Sequence, residues 1–316
     1  MSLSLELSPD GAPPVGLTTR LDGVPIAADD DFFVRAPPEI GEVVGAFTDL
    51  TRGARPSAPW LRLVAPALGF AVGFGGCLPI VAAVTGPRDS WARAVVPLVP
   101  ALAGLLVGWS WAQFVHHCVY VGDRGVVEYT CSGSRSAVSV SRSAMFSDAT
   151  ALYTSATRVY KDGKYAGTRF SFELEQAGGA PTLRLFGSHD DLNPATLSRS
   201  ARLRQRDWYV GVALEAAFIA YFLPRMIQVV ESGDRVTFPV SSGAGAIESV
   251  AIRAGALELT TSRGTLTLTR AELPKVSMVD GRLTFGRSDD LGLVYSDIAN
   301  GKLFLLLLER FVLGVE

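Results

Sequence analysis

Three short runs carry residue types that chemistry needs. His189-Asp190-Asp191 sets an imidazole beside two carboxylates, the parts of a general base or of a partial metal site. His116-His117-Cys118 offers nitrogen and sulfur ligands, but neighbouring side chains on a helix point about 100° apart. The chain's third histidine, His189, is also far away in sequence. Asp29-Asp30-Asp31 concentrates negative charge in a Pro- and Gly-rich stretch, where an acidic run is normally solvated. The GxSxG, HExxH, Walker and strand-led GxGxxG patterns are all absent from the sequence. The expectation is a chain without catalytic residues, metal or cofactor, with His189 serving a turn or a helix cap.

A fourth cluster points to binding instead. Arg199, Arg202, Arg204 and Arg206 precede Trp208 and Tyr209. Guanidinium groups beside an anionic leaflet gain about 1 kcal/mol each within a Debye length. The same residues suit an acidic protein surface, or simply a solvated face. A net charge of −2 and a pI near 6.0 argue against a nucleic-acid footprint. Cys77, Cys118 and Cys131 form no CxxC pair, which fits neither a disulfide framework nor a zinc site and suits a reducing compartment. Arginine outnumbers lysine 25 to 4, a bias that suggests G+C-rich, bacterial coding.

These residues hang on two long apolar runs. Leu63–Val84 and Ala94–Val115 are each 22 residues without a charge, and Gly86-Pro87-Arg88-Asp89-Ser90 lies between them. A helix of that length spans about 33 Å, against a hydrocarbon core of about 30 Å. Trp60, Trp91, Trp109 and Trp111 stand near the ends, where indoles favour the headgroup layer. The reading is a transmembrane hairpin within residues 60–117. Gly69 and Gly73, and Gly104 and Gly108, supply small-residue faces for helix packing against each other or a second copy. No ionisable residue lies in either run, so an ion or proton path has no carrier. Arg52, Arg55, Arg62 and Arg124 flank the hairpin, against Arg88 and Arg93 in its loop, which places both termini on the cytoplasmic side of the cell membrane. Residues 1–59 lack a sustained period and read as largely disordered, apart from a short helix over Pro38–Thr51.

Beyond Cys118 the period falls to two, and β-branched strands follow one another to Phe186. Asp207 is expected to cap a helix over Trp208–Val230 that ends at the turn Glu231–Asp234. Glu215, Pro224 and Arg225 argue against its crossing a bilayer, so a helix packed on the strands is expected. The pattern then returns. Gly125-Val-Val-Glu-Tyr-Thr130 matches Gly255-Ala-Leu-Glu-Leu-Thr260, Val138–Arg142 matches Leu266–Arg270, and a second apolar helix closes the chain near Leu313. Two units follow, 118–232 and 233–316, each with its own core.

Strands closed by one C-terminal helix are the pleckstrin-homology-like build. Tyr120-Val-Gly-Asp-Arg-Gly125, Phe146-Ser-Asp-Ala149, Tyr160–Thr168, Asp280–Phe285 and Asp297-Ile-Ala-Asn300 resemble uncharacterised bacterial membrane proteins that carry PH-like domains behind a transmembrane hairpin. The resemblance covers roughly Trp60–Glu316. It implies a membrane hairpin plus tandem PH-like curved sheets in a mainly-β region, and it brings no known activity. Many PH domains read phosphoinositides through a basic loop after their first strand; here that loop holds Arg124, offset by Asp123. The functional expectation is a membrane-anchored scaffold that recruits a protein or a second copy of itself. The alternative is an anionic-lipid-binding or lipid-handling protein acting through the arginine cluster.

Overall fold

The computed structural model describes residues 2–8, 11–51, 61–84, 96–112, 115–132, 137–179, 182–241, 247–273, 276–285 and 292–314. Its architecture is mainly β, with four small antiparallel sheets and no closed barrel among the described residues. The first sheet is β1 (Val43–Thr48), β2 (Val115–Gly122), β3 (Gly125–Ser132) and β4 (Val138–Met145), in that spatial order. The second is β5 (Ala149–Lys161), β6 (Lys164–Gln176) and β7 (Leu183–His189). Four strands, three strands and a helix then recur: β8–β11 over 236–269, β12–β14 over 276–294, and a helix from Gly301.

The N-terminal stretch departs from the disorder expected of it. It folds as an irregular strap over the outer face of the first sheet, burying Phe32, Phe33, Val34, Ile40 and Leu50 against Cys118, Tyr120, Val127 and Tyr129. Its apolar residues show no period because the strap is neither helix nor strand. Its backbone bonds pair it with itself and with the sheet, as in Ser8 N–H to Phe33 O at 3.1 Å and Leu21 N–H to Ala46 O at 3.0 Å. The helix expected over Pro38–Thr51 is instead a single turn, Pro38–Ile40, ended by Gly41 at φ 78°, followed by β1. Val43, Val44, Phe47 and Thr48 suit a strand, and β2 offers a free edge for them.

That pairing organises the molecule. The apolar helices α1 (Leu61–Val84) and α2 (Leu98–Ala112) lie in the chain between β1 and β2, which are hydrogen-bonded neighbours. Asp49 N–H donates to His117 O at 3.3 Å, and His117 N–H donates to the Asp49 carboxylate at 2.7 Å. The segment thus leaves the sheet and returns to the same edge. Within it, Gly69 and Gly104 meet backbone to backbone: a Cβ on either would lie 2.1 Å from the other's carbonyl oxygen. Gly73 abuts Pro100 O, and Gly108 abuts Ala65 O. Leu68, Val72, Val99, Leu102 and Leu106 face outward, each more than half exposed.

The second apolar run is shorter as a helix than expected. Val96-Pro97 is a turn and Val115 already belongs to β2, so α2 has 15 residues and spans about 22 Å. His116-His117-Cys118 lies in a strand rather than closing a helix. Among the described residues, one helix is long and apolar enough to cross a bilayer, and it is Arg206–Glu231; the apolar stretches Val64–Gly76 and Leu98–Gly108 are shorter. A count of two crossings is therefore not what the described helices support. The Arg206–Glu231 helix turns Tyr209, Val210, Leu214, Ala217 and Phe218 into the core, with Trp208, Ile219, Phe222 and Met226 partly buried against it.

We label Arg199–Arg204 α3, Arg206–Glu231 α4 and Gly301–Leu307 α5, the last running on in a wider coil to Leu313. Gly233, at φ 91°, ends α4 in the turn expected there. The two β-rich halves do not have separate cores. One cluster runs from Phe47, Val119 and Val126 through Phe218 and Val230 to Phe238, Phe304 and Val312. Asn300, in the left-handed conformation at φ 57°, fastens the halves: it accepts from Leu152 N–H at 2.7 Å and donates its own N–H to Leu152 O at 2.9 Å.

Candidate functional site

The first sheet holds a buried ionic cluster close to the root of the helical hairpin. Glu128 sits mid-strand in β3, its side chain only 6% exposed. It accepts from Nδ1 of His117 at 2.7 Å, from Nε of Arg142 at 2.6 Å and from Nη1 of Arg206 at 3.1 Å. Asp207 closes the circuit, 3.3 Å from Arg142 and 3.2 Å from Arg206. Burial pulls the Glu128 carboxyl upward, but the His117 hydrogen bond and the Arg206 and Arg142 guanidiniums outweigh it and hold the group below its usual value. Every charge is matched, so the cluster locks α4 to the first sheet. Asp207 serves this pairing; α4 has no side-chain cap.

The five residues expected to form a binding surface do not share one face. Arg206 points inward, with its side chain 12% exposed. Trp208 lies flat on His189, ring centroids 4.6 Å apart, with Phe170 edge-on to it at 5.3 Å. Arg202 is half-buried, and Arg204 is exposed. Arg199 opens α3, and its side chain lies outside the described residues. The expected arginine patch thus reduces to α3, while Arg206 and Trp208 are engaged in packing. Adjacent arginines on the helical run 199–206 project in different directions, which residue spacing alone does not reveal.

His189 is also engaged. Its Nδ1 lies 3.2 Å from the Gln205 side-chain oxygen, which also accepts from the Tyr209 hydroxyl at 3.2 Å, and its Nε2 is 3.7 Å from Asp191. Burial is the largest influence and lowers its pKa, against the upward pull of Gln205, Asp191 and Asp190. A neutral, stacked imidazole has the role of a packing residue. A shallow polar cleft of about 310 Å³ opens among Tyr153, Ser155, Ser171, Glu173, Glu175 and Ser296. Burial and the two glutamates raise the Tyr153 phenol, keeping it protonated rather than activating it. Among the described residues no three His, Cys, Asp or Glu side chains gather as a metal set.

The sequence offers Asp207 as a helix cap and Glu128 and Arg142 as strand residues, and the fold gathers the three instead. The available signal was a carboxylate in the middle of an apolar strand, Val126-Val-Glu-Tyr129, and its counterpart Glu258 in the second half. Glu258 is likewise buried and ion-paired, to Arg235 at 3.3 Å and Arg253 at 3.5 Å. Comparison of the chain with protein-family models, curated proteins and solved structures gave no match.

Proposed function

We propose that this chain is a membrane-anchored scaffold without catalytic activity, held in the cell membrane by the α1–α2 hairpin with both termini cytoplasmic. Two PH-like units, each four strands, three strands and a closing helix, form its working part and recruit a protein partner or a second copy. One observation carries the reading: the hairpin is inserted between two hydrogen-bonded neighbours, β1 and β2. Its two roots must then lie on one side of any membrane it enters. The outward-facing Leu68, Val72, Val99, Leu102 and Leu106 support immersion in lipid, because exposed apolar area of that kind is costly in water. α1 spans about 36 Å as 24 residues, and apolar sequence continues on both sides of α2, from Ala94 to Val115. The matched charges of the Glu128 cluster favour a structural use of those residues over a reactive one.

The test has two steps. The protein should stay in the membrane fraction after an alkaline carbonate wash, which strips peripheral proteins. Purified in mild detergent, it should then bring down a stoichiometric protein or a second copy. Release by carbonate contradicts the anchor; recovery as a monomer holding only lipid or a small molecule contradicts the scaffold.

A further inference from the structure

We propose that the free end of the β5–β6 hairpin is a second membrane contact, a basic and aromatic tip that rests on the anionic headgroups of the bilayer holding α1 and α2. The inference depends on the reading of those helices as membrane-embedded. The ribbon is built to protrude. β7 pairs with β6 only over Thr168–Leu174, whereas β5 and β6 continue together to Lys161 and Lys164. Four residues of β6 beyond that sheet reach about 13 Å. Asp162 at φ 50° and Gly163 at φ 73° close the end in the tight turn that matches strand twist.

The tip's composition breaks the rules for a solvated hairpin. Lys161 lies directly across from Lys164, a like-charge pairing that disfavours the hairpin by itself. Arg158 and Arg169 stand just behind, all four are exposed, and Asp162 is the carboxylate between the two lysines. Among the described residues none of these four cations is ion-paired, although the protein pairs many of its other arginines. Tyr160 is 58% and Tyr165 38% exposed, stacked edge to face across the ribbon with centroids 6.0 Å apart. Unpaired cations beside exposed phenols suit the headgroup layer, where the charges meet phosphates and the rings sit at the interface. A local conflict of this kind, without a compensating contact inside the protein, points to a ligand outside it.

Contacts also tie the base of the ribbon to the root of the hairpin. The Tyr165 hydroxyl reaches the His189 carbonyl at 3.5 Å, and His189 stacks on Trp208. Arg206, two residues earlier on the same helix, binds Glu128, which binds His117. β2, which carries His117, begins at Val115, three residues after α2 ends at Ala112. The ribbon base is therefore joined through α4 to the strand that roots the hairpin. The corresponding hairpin of the second half, Val276–Val279 with Arg282–Phe285, has strands of four residues and no such extension.

Lysine footprinting tests this on the unmodified full chain, because Lys161 and Lys164 are two of only four lysines. The protein is reconstituted in nanodiscs of phosphatidylcholine alone or with a third phosphatidylglycerol, treated with a water-soluble acylating reagent, and read by mass spectrometry. Labelling of Lys161 and Lys164 should fall at least about fivefold in the anionic discs, the factor one cation's attraction to an acidic leaflet gives. It should recover in half-molar salt, with exposed Lys302 unchanged throughout. Equal labelling in the two discs with normal incorporation overturns this inference alone. So does protection that ignores lipid charge, which would mark a protein contact. Failure to enter either disc overturns the hairpin reading and this inference together.

Discussion

Replacing Glu128 by alanine removes the one anion shared by His117, Arg142 and Arg206. Deleting one partner of a buried ion pair costs about 3–5 kcal/mol, because the remaining charge stays desolvated. The lower half of that range applies here, since Asp207 still holds Arg206 at 3.2 Å and Arg142 at 3.3 Å. For a soluble region of this size, 1 kcal/mol shifts the melting temperature by roughly 2–4 °C, so a drop of roughly 6–16 °C is expected. Tryptophan-fluorescence melting in detergent reads it, with Trp208 beside the cluster as one reporter. The matching change Glu258→Ala is the control. Its partners Arg235 and Arg253 have side chains 65% and 55% exposed, so water can solvate them once the anion is gone, and about 1 kcal/mol or less is expected. The contribution of Glu128 is also pH-linked. Its pKa is lowered on folding, so its stabilisation is present above the unfolded value, about 4.3, and is lost as pH falls through the folded value. The gap between wild type and Glu128→Ala should therefore narrow in acid. A loss below about 1 kcal/mol at neutral pH, or a loss no larger than that of Glu258→Ala, would refute the view that this cluster fixes α4 to the first sheet.

Phe218, 2% exposed and edge-on to Phe146 at 5.6 Å, should cost about 3–5 kcal/mol on replacement by alanine. Because the core is continuous, limited proteolysis should remove both halves together; a resistant fragment from about Gly233 onward would contradict this. Gly104→Leu should separate α1 from α2, since a Cβ there meets the Gly69 carbonyl at 2.1 Å; unchanged protease resistance of the hairpin in detergent would count against the packing. His189 has a pKa lowered by burial, so the unfolded chain takes up the proton first and stability falls as pH drops below about 6.5. Melting at pH 7.5 and 5.5 should show that loss, and a stacking-compatible His189→Gln variant should show less of it.

Local features of the fold were legible because their causes are local. Asp162-Gly163 and Asp280-Gly281 are dipeptides that favour tight turns, and both adopt the left-handed angles such turns need. Glu231-Ser-Gly-Asp234 ends α4 because Gly233 accepts φ 91°. The register of β2 against β3, Val121 opposite Val126, follows from a two-residue Asp123-Arg124 connection. What escaped depends on distant partners. β1 lies 67 residues before β2 in the chain, counting from Thr48 to Val115, and nothing within Val43–Thr48 announces that pairing. The strap over Tyr120 and Tyr129 uses apolar residues in an irregular path, so a search for period finds nothing there. Val119 and Val121 pack into the main core while Cys118 and Tyr120 face the strap, so β2 is buried on both sides and its alternation is hidden. Arg206 likewise looked like one of four surface cations, because only the fold brings Glu128 to it.

If the α1–α2 hairpin enters a membrane as proposed, the β1–β2 pairing sets its two roots side by side on one face. Topology reporters placed after Pro59, at Asp89 and after Glu316 measure this in cells. A cytoplasmic signal is expected at Pro59 and at Glu316, with Asp89 on the far side. Opposite sides for Pro59 and Glu316 would mean an odd number of crossings, with Arg206–Glu231 in the bilayer rather than in the core, and the account would be wrong.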